Sequence, residues 1–361
     1  MIDCPLFFDK IQNQLLLERP FVVYRKPGEN TVNGILQHSE ELIRPEPDNS
    51  DGFIFAPFDA SRKAVLLPFD EVCQCIYEVG SDIEHSKENQ HKVYEDNTIQ
   101  QSYEKLIADT VNSIENSDLE KVVISRKFTV SRDQRDPVII YKRLLNTYPD
   151  AFVYWWFHPV IGMWMGATPE TLLISENHRF HTMALAGTRL NRDIDPGEVE
   201  WGRKEIREQA LVTESIEACL RPVAKELNST GPDTVAAGRL YHLCTKFEGV
   251  LKSAGKSVLP ELIQALHPTP AVCGLPKEDA LKFILENEGY DREYYAGYLG
   301  ICKMETEGSE LLELFVNLRC MKWTVDHIEI FVGGGITDDS DPHSEWMETE
   351  NKSMTMLRVL N

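Results

Sequence analysis

One stretch near the C-terminus organises the chain, and it reads Phe331-Val-Gly-Gly-Gly-Ile-Thr-Asp-Asp-Ser-Asp-Pro-His-Ser-Glu-Trp-Met-Glu-Thr-Glu-Asn-Lys352. The pattern predicts a strand that ends in three glycines, then an acidic turn, then a helix. Because glycine has no Cβ, backbone N–H groups at this strand end can approach an anion closely. In the helix, Glu345, Glu348 and Lys352 lie three and four residues apart and share one face. That face offers two hard oxygen donors and a cation, although Glu348 and Lys352 also suit an ordinary surface ion pair.

Composition limits what the chain can bind. With 361 residues, 42% of them hydrophobic, it can bury a large core in one big domain or two smaller ones. The net charge of −21 argues against nucleic acid and anionic membranes as partners. No apolar run approaches the roughly 20 residues that span a bilayer, and the N-terminus does not resemble a signal peptide, so we expect a cytoplasmic protein. An anionic ligand would have to be held by a divalent cation or by local Arg and Lys side chains.

The order of elements predicts an α+β fold with antiparallel sheets, because most connections are too short for parallel crossovers. Residues 1–100 look like strands with polar connections, and Ser81–Gln101 is expected to be a surface loop. Hydrophobic periodicity predicts alternating helices and strands in the rest of the chain. Helices are expected over Tyr103–Asn116 and Pro137–Asn146, and strands over Lys121–Val130, Ala151–Phe157, Gly162–Leu173 with a break at Thr168–Pro169, and His181–Thr188.

A long helix rich in glutamate is expected to begin near Val199 and to end or kink at Pro222. Two of its acidic residues, Glu205 and Glu208, lie three residues apart on one face, where a solvated flank is the default interpretation. Its buried side is predicted to consist of five apolar residues: Ile206, Ala210, Leu211, Ile216 and Leu220.

Five further side chains are candidates for chemistry. Arg319 lies among apolar residues of a strand, where a cation needs an anion or a buried partner. Glu170 follows a proline in a strand break, from which a carboxylate can point into a cleft. Lys121 opens a β-branched strand and would usually be a solvated edge lysine. His242 and His267 give weaker signals and also suit core histidines.

A set of short motifs stands in order along residues 115–361. They are Lys121–Arg126, Gly166–Glu170, Leu185–Thr188, Glu205 with Glu208, His242–Gly249, His267–Ala271, Asp291–Glu293, Tyr295–Gly297, Asn317–Arg319 and Gly333–Lys352. Together they resemble the chorismate-utilising enzyme family, and within it most closely the isochorismate synthases. Residues 1–100 match the family only in general character.

The resemblance implies a fold and a domain organisation. It implies a single chorismate-binding domain over residues 1–361, with the motifs confined to 115–361. The fold would be that of anthranilate synthase component I, an α+β arrangement of two large antiparallel sheets. The sheets would pack on each other and be flanked by helices, which gives four layers in the order α/β/β/α.

The resemblance also implies a magnesium site and a substrate site. Mg²⁺ would be held by Glu208 and Glu348, with Glu205 and Glu345 beside them as further ligands or as supports through water. Magnesium suits such a site because it takes hard oxygen ligands in an octahedron and keeps some of its waters. Chorismate would be held by the side chains or backbone of Gly187, His242, Arg319, Gly334, Gly335 and Lys352.

Two further positions imply the reaction. Lys121 stands where the family has a base that activates water, and Glu170 stands where it has the acid that protonates the departing hydroxyl. For this role the pKa of Glu170 would have to be raised. Anthranilate synthases, which add ammonia, carry Gln at the position of Lys121, and aminodeoxychorismate synthases carry a nucleophilic Lys where this chain has Ala186. A base lysine without an amine nucleophile implies that water is added, as in isochorismate synthase.

Three alternatives stay open. Salicylate synthase shares the first half-reaction and then eliminates pyruvate, and no single residue decides against it. Anthranilate synthase component I is less favoured. A non-catalytic regulator that binds chorismate or Mg²⁺ is disfavoured by the presence of Lys121, Glu170, Glu208 and Glu348. No glutamine amidotransferase subunit is expected, the chain is expected to be a monomer or weak homodimer, and the product would feed menaquinone or siderophore biosynthesis.

Overall fold

The computed structural model describes residues 1–46, 51–80, 97–133, 135–191, 194–238, 240–252, 258–304 and 310–360. Within these residues the chain forms seven α-helices and seventeen β-strands. The helices are α1 (Cys4–Leu16), α2 (Asn97–Glu115), α3 (Pro137–Thr147), α4 (Arg203–Leu220), α5 (Val258–Leu266), α6 (Lys277–Asn287) and α7 (Pro342–Leu360), and a 3-10 helix spans Pro196–Glu198.

The strands form two sheets in which all neighbouring strands are antiparallel. From edge to edge, the nine-stranded sheet contains β13 (Gly274–Leu275), β6 (Lys121–Ser131), β17 (His327–Ile336), β16 (Cys320–Trp323), β8 (Gly162–Thr168), β7 (Phe152–His158), β1 (Phe21–Arg25), β2 (Thr31–Leu36) and β5 (Glu71–Ile76). The eight-stranded sheet contains β11 (Ala224–Ala237), β12 (Leu240–Leu251), β10 (Arg179–Leu190), β9 (Thr171–Glu176), β15 (Glu310–Val316), β14 (Tyr298–Met304), β3 (Gly52–Ala56) and β4 (Val65–Leu67).

The two sheets pack face to face through aromatic side chains. Phe152 of β7 stacks on Phe315 of β15 with 4.2 Å between the ring centroids. Tyr24 of β1 lies 5.6 Å from Phe53 of β3, again measured between ring centroids. All four rings are buried, and side chains of this size dominate the hydrophobic stabilisation of a core. The strands that precede residue 80 therefore contribute to both sheets and to the contact between them.

Helices cover the outer faces of the sheets. On the nine-stranded sheet, α1, α3 and α7 form a second apolar cluster with the strands, in which Phe8, Tyr141 and Trp155 are in contact. On the other sheet, α4 packs against β10 and β12, with α5 beside it. The predicted α+β fold of two packed antiparallel sheets in α/β/β/α order is thus confirmed. No described helix combines the length and the apolar character needed to cross a bilayer, and the cytoplasmic location stays a prediction.

The predictions for the first hundred residues were partly wrong. A helix, α1, lies where strands alone were expected, and it begins with an N-cap in which Asp3 accepts a hydrogen bond from the backbone N–H of Leu6. Helix α2 begins at Asn97, so the end of the predicted loop is helical. Residues 81–96 of that loop lie outside the described residues.

Two later predictions also need correction. Strand β10 was expected to end at the glycine but continues past Gly187 to Leu190. The pairing with β12 shifts register between Ala186 and Arg189, and this irregularity accommodates Gly187, whose φ is +69°. Helix α4 begins at Arg203, and its predicted buried side is wrong at two of its five positions, since Ile206 and Ala210 are exposed. The buried residues of α4 are Glu208, Gln209, Val212, Ile216 and Leu220. The predicted strand break is confirmed: β8 ends at Thr168 and β9 begins at Thr171, in the other sheet.

Candidate active site

A cavity of about 70 Å³ has walls from both sheets. The strands β6 and β17 contribute from one sheet, and β10 and β12 contribute from the other. Most of the predicted site residues line it, namely Glu170, Gly187, Glu208, His242, Arg319, Gly334, Gly335 and Lys352. The remaining wall is largely apolar and includes Val123, Leu185 and Tyr295. The cavity therefore combines charged groups with a surface suited to a carbon ring.

Two crossovers of the chain place Glu170 and Arg319 side by side. Glu170 lies where the chain passes from β8 to β9, and Arg319 lies where it passes back from β15 to β16. The backbone N–H of Val316 donates to the carbonyl of Glu170 at 2.9 Å, and that of Ala167 donates to the carbonyl of Arg319 at 3.0 Å. Arg319 has a φ of 48°, a left-handed conformation that long side chains rarely adopt. The paired crossovers hold this conformation in place.

Burial and neighbouring positive charges act in opposite directions on the pKa of Glu170. Burial raises its pKa to about 8, although Lys121, Arg319 and Lys352 act to lower it. The backbone N–H of Glu170 also donates to Thr168 Oγ1 at 3.3 Å, which fixes the residue at the end of β8. At neutral pH this carboxyl group therefore retains its proton. The upward shift that an acid at this position requires is present.

His242 links strand β10 to Arg319. Its Nδ1 lies 2.8 Å from the carbonyl oxygen of Gly187, and its Nε2 lies 3.2 Å from Nη2 of Arg319. Burial, together with the charges of Arg319 and Lys352, lowers the pKa of His242 to about 3. The ring is thus neutral, so Nδ1–H donates to Gly187 while Nε2 accepts from Arg319. This arrangement orients the guanidinium group without adding a second positive charge.

The glycines of β17 make room for acidic side chains. A Cβ on Gly335 would clash with Glu208 Oε1 and would lie 2.8 Å from Cε of Lys121. A Cβ on Gly334 would lie 3.1 Å from Oε2 of Glu345. Neither glycine has a left-handed φ, so what matters here is the missing side chain and not backbone freedom. The prediction that their amides hold a carboxylate of the substrate stays a prediction.

Three of the four predicted metal-binding carboxylates gather at this strand end, and each is paired with a lysine. The pairs are Lys121 with Glu208 at 3.0 Å, Lys352 with Glu348 at 2.6 Å, and Lys204 with Glu345. The fourth carboxylate, that of Glu205, lies against Gly202 at the start of α4. Among the described residues, no group of three or more His, Cys, Asp and Glu side chains is arranged to hold a metal ion as it stands. Lysine ammonium groups neutralise the cluster instead.

The donor chemistry of this cluster fits a divalent cation. Carboxylate oxygens are the ligands that Mg²⁺ prefers. Glu345 is only 1% exposed, and its Oε2 is buried without a hydrogen-bond partner of normal geometry among the described residues, although the nearby Ser340 hydroxyl acts to lower the pKa of this carboxyl group. Burial and the nearby charge of Glu348 raise the pKa of Glu345 to about 7. Burial also acts to raise the pKa of Glu348, but Lys352 and Lys204 outweigh it and lower that pKa. A hard cation would satisfy the unpaired oxygen and relieve the repulsion between the two carboxylates.

Lys121 and Glu348 lie just outside the main cavity. Lys121 is fully buried behind its wall, in contact with Glu208 and next to Gly335. Glu348 lines an adjoining cavity, which shares Thr188 with the main one. The charge of Lys121 acts to lower the pKa of Glu170, and the roles of the two residues as base and acid stay predictions.

Lys204 was not predicted from the sequence, although a signal was available. It stands four residues before Glu208 on α4, and this spacing places both side chains on one helix face. His267, by contrast, is a core histidine: its Nε2 lies 3.1 Å from the carbonyl oxygen of Pro57, and burial lowers its pKa to about 4. It does not line the main cavity.

A protonated carboxyl group, a buried lysine, a cluster of carboxylates and two cations in or beside one cavity suit an enzyme that acts on a small anionic substrate. A family model described as chorismate binding enzyme matches residues 66–361, and the chain belongs to this family. Isochorismate synthase EntC of Escherichia coli K12 is 33% identical over 271 residues, which cover 72% of this chain and 67% of that protein. Isochorismate synthase DhbC of Bacillus subtilis is 33% identical over 204 residues, which cover 54% of this chain and 50% of that protein.

Solved structures show the same fold. A putative 2,3-dihydroxybenzoate-specific isochorismate synthase, DhbC from Bacillus anthracis, superposes with a TM-score of 0.78 at 23% identity and covers 95% of this chain and 96% of that one. The menaquinone-specific isochorismate synthase MenF of Escherichia coli superposes with a TM-score of 0.75 at 21% identity, and the match covers 95% of this chain and 89% of that one. Anthranilate synthase component I of Streptococcus pneumoniae superposes with a TM-score of 0.67 at 18% identity, and the match covers 93% of this chain and 92% of that one.

Proposed function

We propose that the chain is an isochorismate synthase, which converts chorismate reversibly to isochorismate. The observation that carries this proposal is a cavity lined by a protonated carboxyl group, Glu170, with a buried lysine, Lys121, behind the cavity wall at Gly335. The proposal agrees with the relatives, since EntC and DhbC, which match this chain at 33% identity, are isochorismate synthases.

The reaction needs one base and one acid. An allylic hydroxyl group leaves the ring of chorismate as water, while another water molecule adds elsewhere on the ring. Lys121 would first give up the ammonium proton of its ion pair with Glu208. Its neutral amine would then accept the proton of the attacking water, and Glu170 would give its proton to the departing hydroxyl. One water enters and one leaves, so the reaction changes no oxidation state. The two side chains exchange their protonation states in each turnover, and solvent restores them.

Cationic groups would hold the two carboxylates of the substrate. Arg319 and Lys352 line the cavity and are available for the enolpyruvyl carboxylate, with the amides of Gly334 and Gly335 beside them. The backbone at Gly187 would approach the ring carboxylate. Bound Mg²⁺ would supply positive charge for that carboxylate, with Glu208 and Glu348 as its ligands and Glu205 and Glu345 as further ligands or supports.

The choice of nucleophile rests on Ala186 and Lys121. Ala186 lines the cavity beside Gly187 and offers no amine, and Lys121 stands where anthranilate synthases, which add ammonia, carry Gln, so we infer that water is the nucleophile. The substrate would be free chorismate, without an amidotransferase subunit to supply ammonia. A cytoplasmic location and a monomer or weak homodimer complete the proposal.

Product analysis tests this function. Purified protein incubated with chorismate and Mg²⁺ should form isochorismate, detected by chromatography, and EDTA should stop the reaction until Mg²⁺ is restored. Salicylate and pyruvate as the principal products would identify a salicylate synthase instead. Anthranilate formed with ammonia would identify an anthranilate synthase.

Substitution of Lys121 tests the role of the base. Lys121→Ala should lower kcat by about 10²-fold to 10⁴-fold, the usual contribution of a general base, while chorismate binding, measured by calorimetry, is retained. Lys127→Ala is the matched control, because Lys127 lies on the same strand but pairs with Glu329, away from the cavity. Bound chorismate without turnover in the unaltered protein would indicate a regulator and would refute the enzymatic assignment.

A further inference from the structure

Lys204 lies among the acidic side chains of the cluster, although it does not line the main cavity. It projects from the same face of α4 as Glu208, one helical turn earlier. Its ammonium group pairs with Glu345 of α7, and the charges of Glu348 and Glu208 also act on it. Lys204 therefore interacts electrostatically with all three carboxylates that gather at the end of β17.

The ion pair between Lys204 and Glu345 is more than a surface contact. The side chain of Lys204 is 23% exposed, but that of Glu345 is only 1% exposed. Oε1 of Glu345 contacts Lys204, whereas Oε2 is buried with no hydrogen-bond partner of normal geometry in the described chain. That unpaired oxygen lies next to Gly334, on a strand that lines the main cavity. The carboxylate thus has one oxygen paired with Lys204, and the hydroxyl of Ser340 gives it further, weaker support.

The other two lysines of the cluster are less able to move. Lys121 is fully buried beside Glu208, and Lys352 is fixed by a hydrogen bond that it donates to the carbonyl of Gly333 at 2.8 Å. Lys204 has a flexible stem and a partly exposed side chain, so its ammonium group can withdraw toward solvent.

We propose that Lys204 is the internal counter-ion of this cluster in the metal-free protein, and that Mg²⁺ binds by displacing its ammonium group from Glu345. The inference rests on the proposed function, because it takes these carboxylates as the metal ligands. An ammonium group and a divalent cation compete for the same carboxylate, and their mutual repulsion is strong in a partly buried site. Metal binding and the withdrawal of Lys204 are therefore one event.

Two consequences follow from this competition. Without the ammonium group, Mg²⁺ should bind more tightly, since it no longer displaces a competitor. The metal-free protein should become less stable, because Glu345 would stay buried without its ion-pair partner. Saturating Mg²⁺ should restore much of the lost stability, so the rise in melting temperature on adding metal should be larger in such a variant.

The test is a titration of Mg²⁺ alone into the purified full-length protein, with melting temperatures in EDTA and in saturating Mg²⁺. Lys204→Met should lower the Kd for Mg²⁺ by about tenfold or more and should lower the Tm in EDTA. Arg207→Met is the matched control. It removes one positive charge from the same helix, but Arg207 pairs with Asp338 at the exposed surface, so Kd should stay within about twofold. Lys204→Arg keeps the charge and adds donors, and it should raise Kd severalfold.

The outcomes separate this inference from the proposed function. If the unaltered protein binds Mg²⁺ but Lys204→Met binds it equally or more weakly, Lys204 supports the site and the inference is overturned alone. If the unaltered protein binds no Mg²⁺, both the inference and the metal site of the proposed function are overturned. A Lys204→Met protein that folds only with Mg²⁺ supports the inference. If that variant does not fold at all, the Kd of Lys204→Arg for Mg²⁺ provides the test. A Kd that is unchanged or lower in Lys204→Arg overturns the inference.

Discussion

At Glu170 the cost of burying a charge outweighs the attraction of three cations. Lys121, Arg319 and Lys352 all favour the carboxylate, yet the pKa is raised to about 8 because the group is withdrawn from water. A carboxyl group in this state can donate a proton at neutral pH. His242 shows the same dominance of burial, which keeps its ring neutral between Gly187 and Arg319.

The pH dependence of catalysis should report the protonation of Glu170. As the pH rises through about 8 the acid loses its proton, so kcat/KM should fall over that range. Glu170→Gln cannot donate a proton and should lower kcat by about 10²-fold to 10⁴-fold while chorismate still binds. The residual activity of the variant should lack the decline near pH 8. A decline of the same size in Glu170→Gln would show that another group is responsible.

The same residue should make stability depend on pH. The pKa of Glu170 is raised in the folded state from an ordinary value of 4.5 to about 8, so the folded protein binds its proton more tightly. Its contribution to stability is fully present below pH 4.5 and is lost as the pH rises through about 8. The free energy of unfolding of Glu170→Gln, measured in urea, should therefore increase relative to the unaltered protein over this range. Glu176→Gln, at an exposed position, should show no such trend.

At the scale of elements, local signals predicted strand β17 and helix α7, and the helix carries two of the three carboxylates of the cluster. Strand β17 ends in glycines, and α7 begins after Asp341, which accepts a hydrogen bond from the N–H of Ser344 at 2.8 Å. Helix α4 shows where local signals fail. Ile206 is 54% exposed, whereas Glu208 is 9% exposed, because the helix turns its acidic side toward β17. The lysine that compensates Glu208 is Lys121, which is far away in the sequence, so periodicity alone cannot predict this orientation.

The glycine at position 335 should be essential for the site and less important for the fold. Its φ suits other residues, so the effect of Gly335→Ala is steric: the new Cβ would displace Glu208 and Lys121. We expect kcat/KM for chorismate to fall by about 10²-fold or more, while the melting temperature changes by only a few degrees. Gly197→Ala is the control, since a Cβ there contacts nothing closer than Asp195 Oδ1 at 3.2 Å. Equal activity in the two variants would contradict the steric role.

At the scale of the whole molecule, a protein with a net charge of −21 binds a dianion only through local positive groups. Arg319 and Lys352 provide such groups in the cavity. The pairing of strands that are distant in the sequence could not be predicted. The position of the first hundred residues in the sheets depends on such pairing, because β1 pairs with β7 and β3 pairs with β14. Motifs in residues 115–361 indicated the family and most of the site, but they contain no information about these partners.

The fragment 115–361 should therefore fail to fold on its own, as the single-domain prediction requires. Without β1 and β3, strands β7 and β14 would become exposed edges, and Phe152 would lose its contacts with Tyr24 and Phe53. The fragment should lack the near-ultraviolet circular dichroism and the cooperative thermal transition of the full chain, and it should bind a hydrophobic dye. A fragment that unfolds cooperatively and binds chorismate would instead make the first third a separate accessory unit. Because Glu170 and Arg319 depend on crossovers between both sheets, loss of either sheet edge should abolish the site together with the fold.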